Sequence, residues 1–352
     1  MPLPPALSAI IDEDLAQIRA VLGGAAPGAE IVLAGSLAFD EPWAQMGSDG
    51  RWVLESDYDL YLMVSGAGRS RSLARSPALR GLEAKLGLRA PVDLHVIWRP
   101  LFELGLVGMV GRRLDSGVFV DCALDPGRLQ RNQTRKALLR LRLLAPRETQ
   151  DRSRYQIVKA SIEALRAAIL QHSPELDPRD LFSLRANLRW LRAHPQALGP
   201  GDGAMLQDLL QARLDLGGPG PDDRLMAAAG AWLERFAAAC SQARHPGTPG
   251  PPRPSARGAL YPWLCCLRQG LIPDPRADFD AAILAVLADP VAARLAMEPG
   301  LGKEIEGRLR HLIITGWRPR RPGALLHALD AAMSNPMSAK GERHLFPRAG
   351  DP

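Results

Sequence analysis

The strongest constraint on the fold is a change of pattern near residue 130. Every strand-like run lies before it, and from Asp125 to Arg244 the sequence shows only helical periodicity. Three runs have strand character: "EIVLAG" (Glu30–Gly35), "DYDLYLMV" (Asp57–Val64) and "PVDLHVIW" (Pro91–Trp98). A weaker one, "SGVFVDCAL", covers Ser116–Leu124. Ile10, Ile11, Leu15, Ile18, Val21 and Leu22 recur at helical spacing and predict an amphipathic helix over Ser8–Leu22; a second helix is expected near Ser76–Leu88. Strands interleaved with helices, then helices alone, predict an α+β fold in which a small mixed β-sheet with flanking helices is followed by helical domains. The expected boundaries are 1–128 for the sheet domain, 129–244 for a helical bundle, 245–258 for the linker "HPGTPGPPRPSARG" and 259–352 for a C-terminal helical region.

Composition narrows the class. At 352 residues the chain is long enough for two or three domains and a substantial core. Its 46% apolar and 23% charged residues are those of a globular protein. The net charge of +6 is spread over Arg-rich segments, which is compatible with a solvated surface or with a polyanionic ligand. Nucleic acid stays open as a partner, but no RNA-binding motif indicates it. Cys122, Cys240, Cys265 and Cys266 form no CxxC pair and no zinc spacing, which points to a reducing compartment. No apolar run approaches the ~18 residues that span a bilayer, and "MPLPPALSAIIDEDL" lacks the basic start of a signal peptide. A cytoplasmic protein with no membrane partner is expected.

The chemistry begins in the second strand. Alternate side chains share a face, so Asp57, Asp59, Tyr61 and Met63 project one way and Tyr58, Leu60, Leu62 and Val64 the other. The Cα atoms of Asp57 and Asp59 then lie about 6.6 Å apart. Carboxylates so close repel, and one pKa rises unless a cation sits between them. Oxygen ligands select a hard dication, Mg²⁺ above all, with Mn²⁺ as its substitute. Asp93 in the third strand is flanked by Val92 and Leu94, which face the other way. If the two strands pair, Asp93 completes a three-carboxylate cluster of the kind that serves two-metal chemistry. His95 faces the same way as Asp93.

Ahead of them, the first strand stops at Gly35-Ser36. Gly35 permits close backbone approach. Ser36 can bond a phosphate oxygen or cap a helix through "SLAFDEPW", whose free N–H groups favour an anion.

These elements in this order, "IVLAGS", "SDYDLYLMV" and "VDLHV", resemble the nucleotidyltransferase superfamily typified by DNA polymerase β. The resemblance covers about Glu30–Val96. It implies a nucleotidyltransferase domain that moves an NMP group from an NTP, ATP first among them, to an acceptor hydroxyl with release of pyrophosphate. The acceptor would be a small molecule, a nucleotide, an RNA end or a protein. It also implies Gly35 and Ser36 at the triphosphate and Asp57, Asp59 and Asp93 as catalytic metal ligands, with Asp93 nearest the acceptor as general base. Larger members close the nucleotide cleft with a helical domain. Lys159 in "RYQIVKASIEALRAAIL", one turn after Tyr155, matches the lysine that such a domain directs to the β/γ phosphates. The twenty residues between Ser36 and Asp57 exceed the gap in compact members, and "DEPWAQMGSDGRW" is expected to be a loop at the cleft mouth. A competing expectation is a nucleotide-binding regulatory or antitoxin-type partner with little turnover.

Overall fold

The computed structural model describes residues 3–242 except 75, 77–78, 80–81, 104–109, 122–124, 145–149, 200 and 219, so the expected linker and C-terminal helical region lie outside the described residues. A five-stranded sheet has the order β5-β4-β1-β6-β7, built from β1 (Glu30–Ala34), β4 (Tyr58–Val64), β5 (Val92–Trp98), β6 (Val110–Arg113) and β7 (Phe119–Asp121). β1 pairs antiparallel with β4 and β6, and β6 pairs antiparallel with β7. β4 and β5 are parallel, because the chain between them crosses over through α3 (Ala67–Ala74) and α4 (Leu82–Leu86). The architecture is a mixed α+β one, as expected.

Side-chain alternation places apolar groups on both faces. Leu60, Leu62 and Val64 of β4, Leu33 of β1 and Val96 of β5 pack with Leu7, Ile11, Ile18 and Leu22 of α1 (Pro5–Ala25). At this interface Asp14, with no exposed surface, accepts from the Tyr58 hydroxyl at 2.9 Å, the Arg89 backbone N–H at 3.1 Å and Arg89 Nη1 at 2.8 Å. A buried carboxylate needs such partners.

The opposite face buries Val32, Met63, Ile97 and Val120 in one cluster with the helices that follow. These are α6 (Pro126–Leu139), α7 (Gln150–His172), α8 (Pro178–Phe182), α9 (Leu184–Ala193), α10 (Asp202–Leu214) and α11 (Asp223–Gln242). A π-helical segment, Arg140–Leu144, extends α6. Asp125 caps α6 by accepting from the Arg128 backbone N–H at 2.8 Å, with Pro126 at the first turn where its missing N–H costs nothing. Among the described residues no strand lies between 125 and 242 and no helix is long and apolar enough to cross a membrane.

Several elements differ from expectation. The 37–56 segment is no loop. It contains a hairpin, β2 (Ala44–Met46) against β3 (Trp52–Leu54), held to the turn after α10 by the Gly217 N–H on the Ala44 carbonyl at 3.3 Å. The helix expected through "SLAFDEPW" is a single turn, α2 (Gly35–Ala38), ended by Asp40 at φ +53 and by Pro42. Of the helix expected near Ser76–Leu88, α4 ends early at Leu86 and residues 77–78 and 80–81 lie outside the described residues, while α3 arises in a Gly/Ser/Arg stretch with no apolar stripe. β7 is shorter than the run Ser116–Leu124, of which residues 122–124 lie outside the described residues. β6, "VGRR", carries no strand signature, and its partners make it one. Arg113 donates to Glu30 at 2.6 Å and Arg112 to Asp40 at 3.1 Å, and at Gly111 any Cβ would stand 2.5 Å from the Leu33 carbonyl oxygen.

Candidate active site

The parallel register of β4 and β5 pairs Asp59 with Asp93, Tyr61 with His95 and Met63 with Ile97. One face of this ribbon therefore runs from two carboxylates through an aromatic layer into the apolar core. The Tyr61 and His95 rings stack with centroids 5.0 Å apart, and His95 Nε2 stands 3.3 Å from Asp93 Oδ2. His95 Nδ1 is buried without a hydrogen-bond partner. Asp57 lies immediately before β4, on the chain that Tyr58 fixes by donating its N–H to the Pro91 carbonyl at 2.8 Å.

Gly35 ends β1 with φ +66, the left-handed region open to glycine. A Cβ here would fall 2.1 Å from Asp59 Oδ2, so the turn closes directly on the carboxylate. Ser36 does not cap the helical turn. Its Oγ lies 3.0 Å from Ser56 Oγ, which also accepts the Trp43 N–H at 2.7 Å.

Lys159 of α7 reaches Asp57, with Nζ 3.4 Å from Oδ1. The two side chains keep 29% and 32% of their surface open, so the pair lines an accessible site instead of sealing it. Tyr155, one turn earlier, lies under the ammonium with its centroid 4.6 Å from Nζ. Its other contact is Trp43, stacked at 5.4 Å.

The charges are strongly coupled. Burial and then the Asp57 and Asp93 charges push the Asp59 carboxyl from its ordinary 3.8 up to about 7, against the pull of Lys159. Burial most strongly disfavours the Asp57 charge, but the Lys159 ammonium and a backbone hydrogen bond together outweigh it and the Asp57 pKa ends below the usual value. The Lys159 pKa is raised: burial opposes its charge most strongly, and Asp57, Tyr155 and Asp59 together more than compensate. Two cations absent from the sequence expectations stand behind this site. Lys136 of α6 is desolvated, which pushes its pKa down, while Glu163 and Asp59 favour its charge. Arg140, in the π-helical segment, donates to Glu163 at 2.9 Å and to Gln156 at 2.6 Å.

The fold thus brings Asp59 and Asp93 into register, Gly35 onto Asp59 and Lys159 onto Asp57, while the Ser36 hydroxyl meets Ser56 and none of the three carboxylates in a described hydrogen bond. The donor chemistry, oxygen ligands under mutual repulsion, suits a hard dication. Asp57, however, is turned to Lys159, and among the described residues no three His, Cys, Asp or Glu side chains form a ready metal-holding group. Ser56, Lys136, Arg140 and Arg213 escape sequence reasoning. Ser56 adjoins the Asp-x-Asp motif, so position could have flagged it. Arg213 is one of many arginines more than 150 residues away and carries no such signal. No protein-family model, no curated protein and no solved structure matches the chain.

Proposed function

We propose that the chain is a Mg²⁺-dependent nucleotidyltransferase that moves an NMP group from an NTP to an acceptor hydroxyl. The observation that carries this reading is the in-register Asp59–Asp93 pair beside Asp57, closed on one side by a glycine turn and faced by a lysine from the helical region. Asp57, Asp59 and Asp93 would hold Mg²⁺ or Mn²⁺, with Asp57 exchanging its contact with Lys159 for the metal. When bound, the ion would neutralise phosphate charge and lower the pKa of the acceptor hydroxyl.

The remaining roles belong to the chain. Gly35 lets the turn stand directly against Asp59, since any side chain there would meet that carboxylate, and a phosphate held at Asp59 would meet the backbone of this turn. Ser36 supplies a hydroxyl at the same turn. Lys159, released from Asp57, would meet the β/γ phosphates as a point charge and stabilise the departing pyrophosphate. Asp93 would take the acceptor's proton as its oxygen attacks the α-phosphorus. The new bond joins acceptor oxygen to the α-phosphorus, and the bond to the β-bridging oxygen breaks. His95, 3.3 Å from Asp93, can receive that proton in turn.

The Lys159–Asp57 ion pair favours a second reading, in which an ammonium permanently fills the place of a metal and the protein binds nucleotide as a regulatory or antitoxin-type partner with little turnover. Pyrophosphate release from each of the four NTPs with Mg²⁺ and pooled acceptors separates the two. Release that is lost in Asp59→Asn and Asp93→Asn supports transfer. Nucleotide binding without release supports the partner reading.

A further inference from the structure

The inserted segment between Ser36 and Asp57 ends against a buried arginine. Arg213 of α10 is 6% exposed. It donates through Nη1 to the Pro42 carbonyl at 3.0 Å and through Nη2 to the Glu41 carbonyl at 3.4 Å and Ser56 Oγ at 3.5 Å. Both ends of the insertion are therefore tied to one guanidinium. Its plane covers the Trp43 ring at 4.8 Å, Trp43 stacks on Tyr155 at 5.4 Å with 27° between planes, and Tyr155 carries Lys159 Nζ at 4.6 Å. The column of guanidinium, indole, phenol ring and ammonium ends on Asp57. Glu41 fixes the same segment to α9, accepting from Ser183 Oγ at 2.8 Å and from the backbone N–H groups of Leu184 at 2.6 Å and Arg185 at 3.0 Å.

We infer that Arg213, Trp43 and Tyr155 are positioning residues that hold the Lys159 ammonium at Asp57, and that the insertion exists to complete this column. The value of that placement for catalysis rests on the transfer reaction proposed above, in which Asp57 turns to the metal while the Tyr155 ring keeps the released ammonium at the same site. A lysine on four rotatable bonds has many rotamers, and an aromatic face beneath it removes most of them. Stacking needs flat rings, so an aromatic residue can replace Trp43 and an aliphatic one cannot. The phenol oxygen also bonds the ammonium, so Tyr155 holds Lys159 by both its ring and its hydroxyl.

The test is amine labelling with an acylating reagent, read residue by residue by mass spectrometry, with exposed Lys85 as the internal reference. Trp43→Leu should free Lys159 from Asp57 and raise its labelling rate relative to Lys85. An amine no longer held between the Tyr155 ring and Asp57 meets the reagent more often, so the ratio of Lys159 to Lys85 labelling should rise severalfold. Trp43→Phe should label like the wild type, and a merely structural role would not produce that rescue. If Trp43→Leu does not fold, Tyr155→Leu breaks the column one step nearer the lysine, and Tyr155→Phe, which keeps the ring and loses the hydroxyl, should label at a rate between that variant and the wild type. A Lys159 rate unchanged in a folded leucine variant overturns the inference. Labelling needs no turnover, so a wild type that releases no pyrophosphate removes the transfer reading while the Lys159 rate still decides the column.

Discussion

Replacing Asp59 by Asn should stabilise the metal-free protein, and by an amount that depends on pH. Asp59 sits in the fold with a pKa near 7, against 3.8 when exposed, chiefly because burial opposes its charge. Between those two values the folded state holds a proton that the unfolded chain has released. Stability therefore falls as pH rises from about 4 to 7, and above 7 the full penalty is present. A shift of about 3 units at 1.36 kcal/mol each sets a ceiling near 4 kcal/mol. The amide that replaces the carboxyl lowers the gain, since burying an incompletely bonded amide costs about 1–3 kcal/mol. The net expectation at pH 8 is about 1–3 kcal/mol in favour of Asp59→Asn, falling to zero or below at pH 4, where the native carboxyl is protonated. Urea unfolding of both proteins at the two pH values, in chelator, measures it through the midpoints at constant slope. An advantage of equal size at both pH values, or a mutant less stable at pH 8 than at pH 4 relative to wild type, would refute the claim that Asp59 is a strained charge. Saturating Mg²⁺ should reverse the order at pH 8, because only the wild type gains a bound cation.

Gly35→Ala should cost about 1–2 kcal/mol from the left-handed backbone alone and more from the clash with Asp59 Oδ2, so a neutral effect in chemical denaturation would contradict the close approach. Asp14→Ala should lose about 1–3 kcal/mol in the same assay, by leaving the buried Tyr58 hydroxyl without its acceptor, and Asp14→Asn should lose less. Lys159→Ala should raise the KM for NTP and lower kcat in steady-state kinetics, yet shift the unfolding free energy by less than about 1 kcal/mol, because the ion pair is part-exposed. Unchanged kinetics would make this lysine a surface charge.

The part of the fold legible in sequence is the part set by short-range periodicity. The alternation in "DYDLYLMV" separates the Asp59–Tyr61–Met63 face from the Leu60–Leu62–Val64 face, and the structure buries them in different clusters. The partnership of Asp59 with Asp93 required one further assumption, that the two strands are neighbours, and the register supplies it. What sequence could not reveal depends on long-range partners. β6 is a strand because β1 offers its edge and Glu30 and Asp40 offer charges to Arg113 and Arg112. The 37–56 segment has loop-like composition, yet its Glu41, Trp43 and Ser56 are ordered by Ser183 and Arg213 from the far end of the chain. The lysine at Asp57 was expected at phosphates, because a sequence shows which cation approaches a site but not which anion it meets first.

Transfer of label from the α-position of an NTP tests the central claim most directly. With Mg²⁺, wild-type protein and pooled acceptors, α-labelled NTP should pass its label to an acceptor while γ-labelled NTP gives labelled pyrophosphate only, and Asp59→Asn and Asp93→Asn should do neither. Label moving from the γ-position to the acceptor, or α-transfer that persists undiminished in both mutants, would contradict a nucleotidyltransferase built on these carboxylates.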